Sequence, residues 1–106
     1  MSFAFIYITY PSEVEAQRVS QHLLEQKLIA CTNIFPITSA YWWQGVIQNE
    51  QEWVSIVKTT LENYEGVKSE VEKIHPYDVP CILKIEVVAN EVYEQWIRSS
   101  VSSAVV

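Results

Sequence analysis

Phe3 to Tyr10 is apolar on both alternating sets, with Phe3, Phe5 and Tyr7 on one and Ala4, Ile6 and Ile8 on the other. A strand apolar on both faces belongs in the middle of a sheet, covered on both sides. With few helices in the chain, the second cover is expected from another subunit. Pro11 stops the strand, and Ser12 and Glu15 follow at capping-box spacing, each able to satisfy a free amide of a first helical turn. Ala16, Val19, Leu23 and Leu24 recur at helical spacing, which predicts a helix over about 13–27 with His22 at the solvent edge of its stripe.

Ile29 to Thr59 reads as two strands joined at Gln44-Gly45, where glycine supplies a positive φ. In the return strand Trp53, Ser55, Val57 and Thr59 alternate with Val54, Ile56 and Lys58. Pro36 confines the first strand to an edge or a bulge, because proline cannot donate to a ladder. Strands of about 14 residues run roughly 45 Å at about 3.3 Å per residue. A helix of about 16 residues spans only roughly 24 Å. The hairpin is therefore expected to overhang its own body. Its large aromatics, Tyr41, Trp42, Trp43 and Trp53, predict an oligomer interface.

Tyr64, Val67, Val71 and Ile74 predict a second helix over about 61–74, ended by His75-Pro76 because the residue before proline avoids the helical region. Gly66 within it costs up to ~1 kcal/mol relative to alanine. Cys81, Leu83, Ile85 and Val87 alternate with Ile82, Lys84, Glu86 and Val88, a strand with one polar face. Asn90 is placed to cap a last helix on which Tyr93, Trp96 and Ile97 share a face. Ser99 to Val106 has little pattern and is expected to fray. The order β-α-β-β-α-β with an added C-terminal helix is the ferredoxin-like pattern of the α+β class, here one domain over 1–106. Its usual strand order, 4-1-3-2, puts Phe3–Tyr10 in the centre and Pro36 on an edge.

Composition narrows the partners. The 106 residues suffice for one core, and 49% apolar content excludes a disordered tail protein. A formal net charge of -6 argues against nucleic acid or an anionic membrane as main partner. No apolar run approaches the ~20 residues of a membrane span. Met1 to Ile6 lacks a basic region and a cleavage site, so it does not read as a signal peptide. Cys31 and Cys81 are expected on opposite sheet edges, about 14 Å apart at ~4.8 Å per strand, too far for a disulfide. A cytoplasmic protein with reduced thiols is expected.

No motif specifies an enzyme. Gly45 and Gly66 form no phosphate loop, and CxxC, HExxH, calcium-loop and nucleophile-elbow patterns are absent. Cys31 and Cys81 each read either as a small buried hydrophobe or as a thiolate ligand for a soft metal. His75 ends a helix, where the dipole favours a protonated imidazole; its functional reading is a metal ligand or proton donor beside Tyr77 and Asp78. Glu50 and Glu52 read as a solvated rim, and Lys58, in an otherwise apolar strand, reads as paired with a carboxylate or pointed at an anion, with pairing the expectation.

The run from Lys27 to Ile34, then Ser39, Tyr41, Trp42 and Gly45, Lys58-Thr59, His75 to Pro80, and Asn90, Tyr93, Trp96 and Ile97 carry a resemblance. In this order and spacing the chain resembles the CutA (divalent-cation tolerance) family. The resemblance implies a ferredoxin-like subunit in a compact homotrimer, similar in architecture to PII signalling proteins. It implies a link to divalent-cation tolerance, copper being the metal most often associated, with ligands at Cys31 and His75. Thr32 stands where the family commonly has valine, and Asp78 where glutamate is commoner. The expected function is thus a homotrimer that binds copper or another divalent cation, with Cys31 near His75 of the same or a neighbouring chain. The alternative is a PII-like sensor or interaction module whose intersubunit cleft, lined by Lys58, Tyr77 and Trp96, takes a small molecule or a partner segment.

Overall fold

The computed structural model describes residues Ser2–Ser102. In chain order they form β1 (Phe3–Tyr10), α1 (Glu13–Glu25), β2 (Cys31–Trp43), β3 (Val46–Thr59), a 3-10 turn (Leu61–Asn63), α2 (Tyr64–Ile74), β4 (Ile82–Val87) and α3 (Glu91–Ser100). One antiparallel sheet has the order β2-β3-β1-β4, the expected ferredoxin-like arrangement. Pro36 lies in the edge strand β2, which Cys31 opens, and Cys81 immediately precedes β4 at the opposite edge.

Local chemistry sets the boundaries. Ser12 Oγ accepts the Glu15 N–H at 3.2 Å, but the other half of the capping box is missing because the Glu15 carboxylate turns to Arg18 Nε at 2.6 Å. The first helix stops at Glu25, short of the expected 27, because Lys27 enters the left-handed region at φ 57. The Leu28 N–H then reaches Leu23 O and the Lys27 N–H reaches Leu24 O, a Schellman closure made without glycine. The expected 61–74 helix begins with the 3-10 turn, and β4 is bounded by the pairs Ile8↔Ile82 and Phe3↔Val87, leaving Cys81 and Val88 outside. Asn90 occupies the N-cap position of α3, but its side chain makes no capping bond.

Ser99 to Ser102 does not fray. Ser99 and Ser100 belong to α3, the Ser102 N–H donates to Lys27 O, and Asn63 Nδ2 donates to Ser102 O. The rest of the predicted frayed tail, 103–106, lies outside the described residues. No helix among the described residues is long and apolar enough to cross a membrane.

The hairpin turns at Gln44 (φ 51) and Gly45 (φ 79), the two positive angles of a type I′ turn whose twist matches its strands. The last β1–β3 pair is Tyr10↔Trp53, so the segments 37–43 and 46–52 continue as a two-stranded arm of about 23 Å. The longest molecular extent, 44 Å, against 26 and 22 Å, is the overhang the strand lengths predict.

Helices α1 and α2 cover one sheet face. Ala4, Ile6, Ile8, Tyr10 and Val57 meet Ala16, Val19, Leu23, Val67 and Val71 there, all fully buried. Thr32 joins Ser20 and Ser55 in a three-hydroxyl network with separations of 2.9 to 3.2 Å. The opposite face carries Phe5, Tyr7, Ile56, Leu83 and Ile85, aligned by the pairs Phe5↔Ile85, Tyr7↔Leu83 and Tyr7↔Ile56. Leu83 and Ile85 remain 53% and 50% exposed. At one end of this face the Tyr93 side chain of α3 lies against Phe3 and Lys58.

Candidate functional site

Two polar clusters lie along β3, one where α3 crosses the sheet and one where the loop after α2 meets it. At the α3 end, Cys31 opens β2 directly opposite Lys58, which in turn faces Phe5. Tyr93 reaches over from α3 to place its hydroxyl 3.2 Å from Lys58 Nζ and 3.7 Å from Cys31 Sγ. The ammonium lies 5.4 Å from the Phe5 ring centroid and 5.5 Å from that of Tyr93. Phe3 sits edge-on to both rings, and half-exposed Trp96 lies 5.6 Å from Tyr93. Lys58 was expected to pair with a carboxylate. Its partners are aromatic instead, because α3 brings Tyr93 across the strand, and among the described residues no carboxylate lies within 4 Å of it.

At the other end, His75 is the C-cap of α2, its backbone N–H bonded to Val71 O. Its Nε2 lies 2.7 Å from Thr9 O, and its Nδ1 lies 3.0 Å from the Tyr77 backbone nitrogen. A carbonyl only accepts and an amide only donates, so the ring is the neutral tautomer with its proton on Nε2. The imidazole stacks on Tyr10 at 4.7 Å. Burial holds its pKa below the usual 6.5, opposed in part by the Thr9 carbonyl. The protonated imidazole expected from the helix dipole is not the form these partners hold: Nδ1 accepts the Tyr77 N–H, which only the neutral ring can do, and burial favours the same form.

Tyr77 donates its hydroxyl to Glu52 Oε2 at 2.5 Å. Glu52 is only 6% exposed, so it is no solvated rim; the loop after α2 folds over it. Glu50 remains exposed and accepts the Tyr41 hydroxyl at 2.8 Å. Burial, and then the Glu52 carboxylate, raise the pKa of both Tyr77 and Cys81.

One chain therefore separates what the sequence paired. His75 binds Thr9, whose β3 partner is Val54, while Cys31 sits opposite Lys58, about 13 Å further along β3. Lys58 and Trp96 share the α3 end through Tyr93, whereas Tyr77 belongs to the Glu52 end, about 20 Å away along the same strand. Among the described residues no three His, Cys, Asp or Glu side chains are placed to hold a metal ion. Both His75 nitrogens are engaged, and Cys31 lies beside an ammonium. The donor set of a single chain does not fit a metal ion. A shallow groove of about 450 Å³ between α1 and β2 contains none of these residues.

Trp42 is 71% exposed on the arm, with Tyr41 and Trp43 at 37% and 41%, while Trp53 packs against the chain's own core. Sequence reasoning missed Glu52 and the aromatic enclosure of Lys58. Glu52 shares its strand parity with Val54 and Ile56, which was the available signal for its burial.

The profile described as CutA1 divalent ion tolerance protein matches residues 4–100. The chain is 46% identical over 98 residues to the divalent-cation tolerance protein CutA of Thermotoga maritima, spanning 91% of this chain and 96% of that one. It is 51% identical over 83 residues to the protein of the same name from Archaeoglobus fulgidus, spanning 78% and 81%. The solved structure described as the periplasmic divalent cation tolerance protein CutA from Archaeoglobus fulgidus is similar with a TM-score of 0.92 at 45% identity, covering 96% of this chain and 100% of that one. CutA1 from Oryza sativa is similar at a TM-score of 0.90 and 31% identity, covering 96% and 94%. With the match running from β1 to the end of α3, the chain belongs to the CutA1 divalent ion tolerance family.

Proposed function

We propose that the chain acts in divalent-cation tolerance as a cytoplasmic homotrimer that binds copper or another divalent cation. The observation that carries this reading is the open sheet face, where Leu83 and Ile85 are half exposed and Phe5 and Tyr7 only partly covered. Laying a second copy on that face stabilises the assembly by on the order of 1 kcal/mol for each half-exposed Leu or Ile it buries. The arm supplies a second contact through Tyr41, Trp42 and Trp43. The threefold count rests on the family resemblance.

Cation binding belongs at junctions between subunits, because one chain keeps Cys31 and His75 apart. There Cys31 supplies the soft donor. His75 joins only if the ion replaces the Tyr77 N–H at Nδ1. Both cysteines are free thiols, which fits a reducing cytoplasm, although related chains are described as periplasmic and chloroplastic.

Calorimetric titration with copper and zinc ions tests the reading. Cys31→Ala should weaken binding by at least the about tenfold typical of losing even an outer-shell partner. Unchanged affinity in both Cys31→Ala and His75→Ala overturns the ligand assignment.

The Lys58 cluster favours a second reading, in which the assembly takes a small molecule in a cleft lined by Lys58 and Trp96, with Tyr77 contributed from a neighbouring chain.

A further inference from the structure

The groups around Lys58 suit a ligand of opposite sign to a metal. We infer that the α3 end of the uncovered face binds a small oxyanion, a carboxylate or phosphate, carried on a flat apolar body. This rests on the small-molecule reading and names its ligand class.

The donor set carries the inference. Arg18, Lys68, Lys73 and Arg98 each lie within 4 Å of a glutamate. Among the described residues Lys27, Lys58 and Lys84 have none, and of these three only Lys58 is half-buried, in a chain where acids outnumber bases thirteen to seven. A partly desolvated ammonium without a counter-charge is costly unless something of opposite charge arrives. Of its three N–H groups, one is directed at the Tyr93 hydroxyl. That hydroxyl accepts from Lys58 and shares a hydrogen bond with the half-buried Cys31 thiol at 3.7 Å, so one of the two, O–H or S–H, donates within the pair and the other keeps its hydrogen for a ligand. The cluster thus offers the ammonium N–H groups and one hydroxyl or thiol hydrogen and, among the described residues, no carboxylate within 4 Å of the ammonium, the pattern that recognises an oxyanion through charge-assisted hydrogen bonds. Trp96, 44% exposed and tilted against Tyr93, provides a flat apolar surface alongside. A planar ligand body stacks there while its anionic end meets Lys58.

The test is calorimetric titration of the whole assembled protein with benzoate, inorganic phosphate, benzyl alcohol and benzylamine. Saturable binding of benzoate, with benzyl alcohol and benzylamine not bound, supports the inference. Phosphate binding more tightly than benzoate assigns a phosphoryl group as the anionic end; the reverse assigns a carboxylate. Lys58→Gln should weaken oxyanion binding about tenfold or more, and Lys58→Arg should retain it. Tyr93→Phe, which keeps the ring and removes one donor, should weaken it less. A thermal-unfolding check confirms that each variant is folded before titration. Benzyl alcohol binding as tightly as benzoate, unchanged affinity in Lys58→Gln, or no saturation by either oxyanion overturns the inference. If neutral or cationic small molecules raise Tm while both oxyanions fail, the small-molecule reading survives and this ligand class falls.

Discussion

The two faces of the one sheet are built from similar residues and end in different states. On the helix side Ala4, Ile6, Ile8 and Val57 are fully buried under α1 and α2. On the other side Leu83 and Ile85 are half exposed, and Phe5 and Tyr7 are only partly covered. Alternation along β1 treats the faces alike, because both residue sets are apolar. The difference lies in supply: α1 and α2 both pack on the same face, and only α3 crosses the other, at one end. A sheet apolar on both faces calls for a second layer, which the proposed homotrimer would supply from further copies of the chain.

The comparison breaks most readily in the core. Ile8→Ala on the covered face should lower stability by about 2–5 kcal/mol, read from urea unfolding. Ile85→Ala in a dissociated chain should cost less than half as much, since half of that side chain already meets water. Equal losses would mean that the two faces do not differ as described.

At the loop end, Tyr77→Phe removes the hydroxyl bonded to the nearly buried Glu52 carboxylate and should cost about 1–3 kcal/mol. His75 adds a pH signature of known sign. An unfolded histidine titrates near 6.5, and burial holds His75 below that value in the fold, with Glu15, Arg18 and Glu52 facing it as the nearby charges. Between those two values the unfolded chain takes up a proton that the folded chain does not. Stability from this group is therefore complete above about pH 6.5 and declines as pH falls below it. Thermal unfolding at pH 7 and pH 5 should show the decline, and His75→Gln should flatten it. The smallest effect belongs to Thr32→Val. Ser20 and Ser55 still bond each other at 3.2 Å, so a change of about 1 kcal/mol or less is expected.

The strand order, the turn at Gln44-Gly45, the overhanging arm and the three helices were legible because each rests on local periodicity or on a single turn residue. The residues that define the two clusters were not. Lys58 meets Tyr93 across thirty-five positions and Glu52 meets Tyr77 across twenty-five. Whether a charged side chain on a half-apolar strand is solvated depends on which distant element crosses it, and spacing within the strand carries no such information. His75 misled for a related reason. Its helix-end position is local and visible, while its burial against Tyr10 and Thr9 is tertiary. Helix α1 ended early because Lys27 accepts a left-handed backbone usually signalled by glycine.

The direct measurement of the central claim is the mass in solution, by light scattering at micromolar concentration, of the protein and of its Leu83→Glu/Ile85→Glu variant. If copies of the chain cover the open face, the parent has the mass of three 12.3 kDa chains, and the double variant falls to one while keeping its circular dichroism. A parent with the mass of a single chain, or a double variant that stays trimeric, contradicts the account.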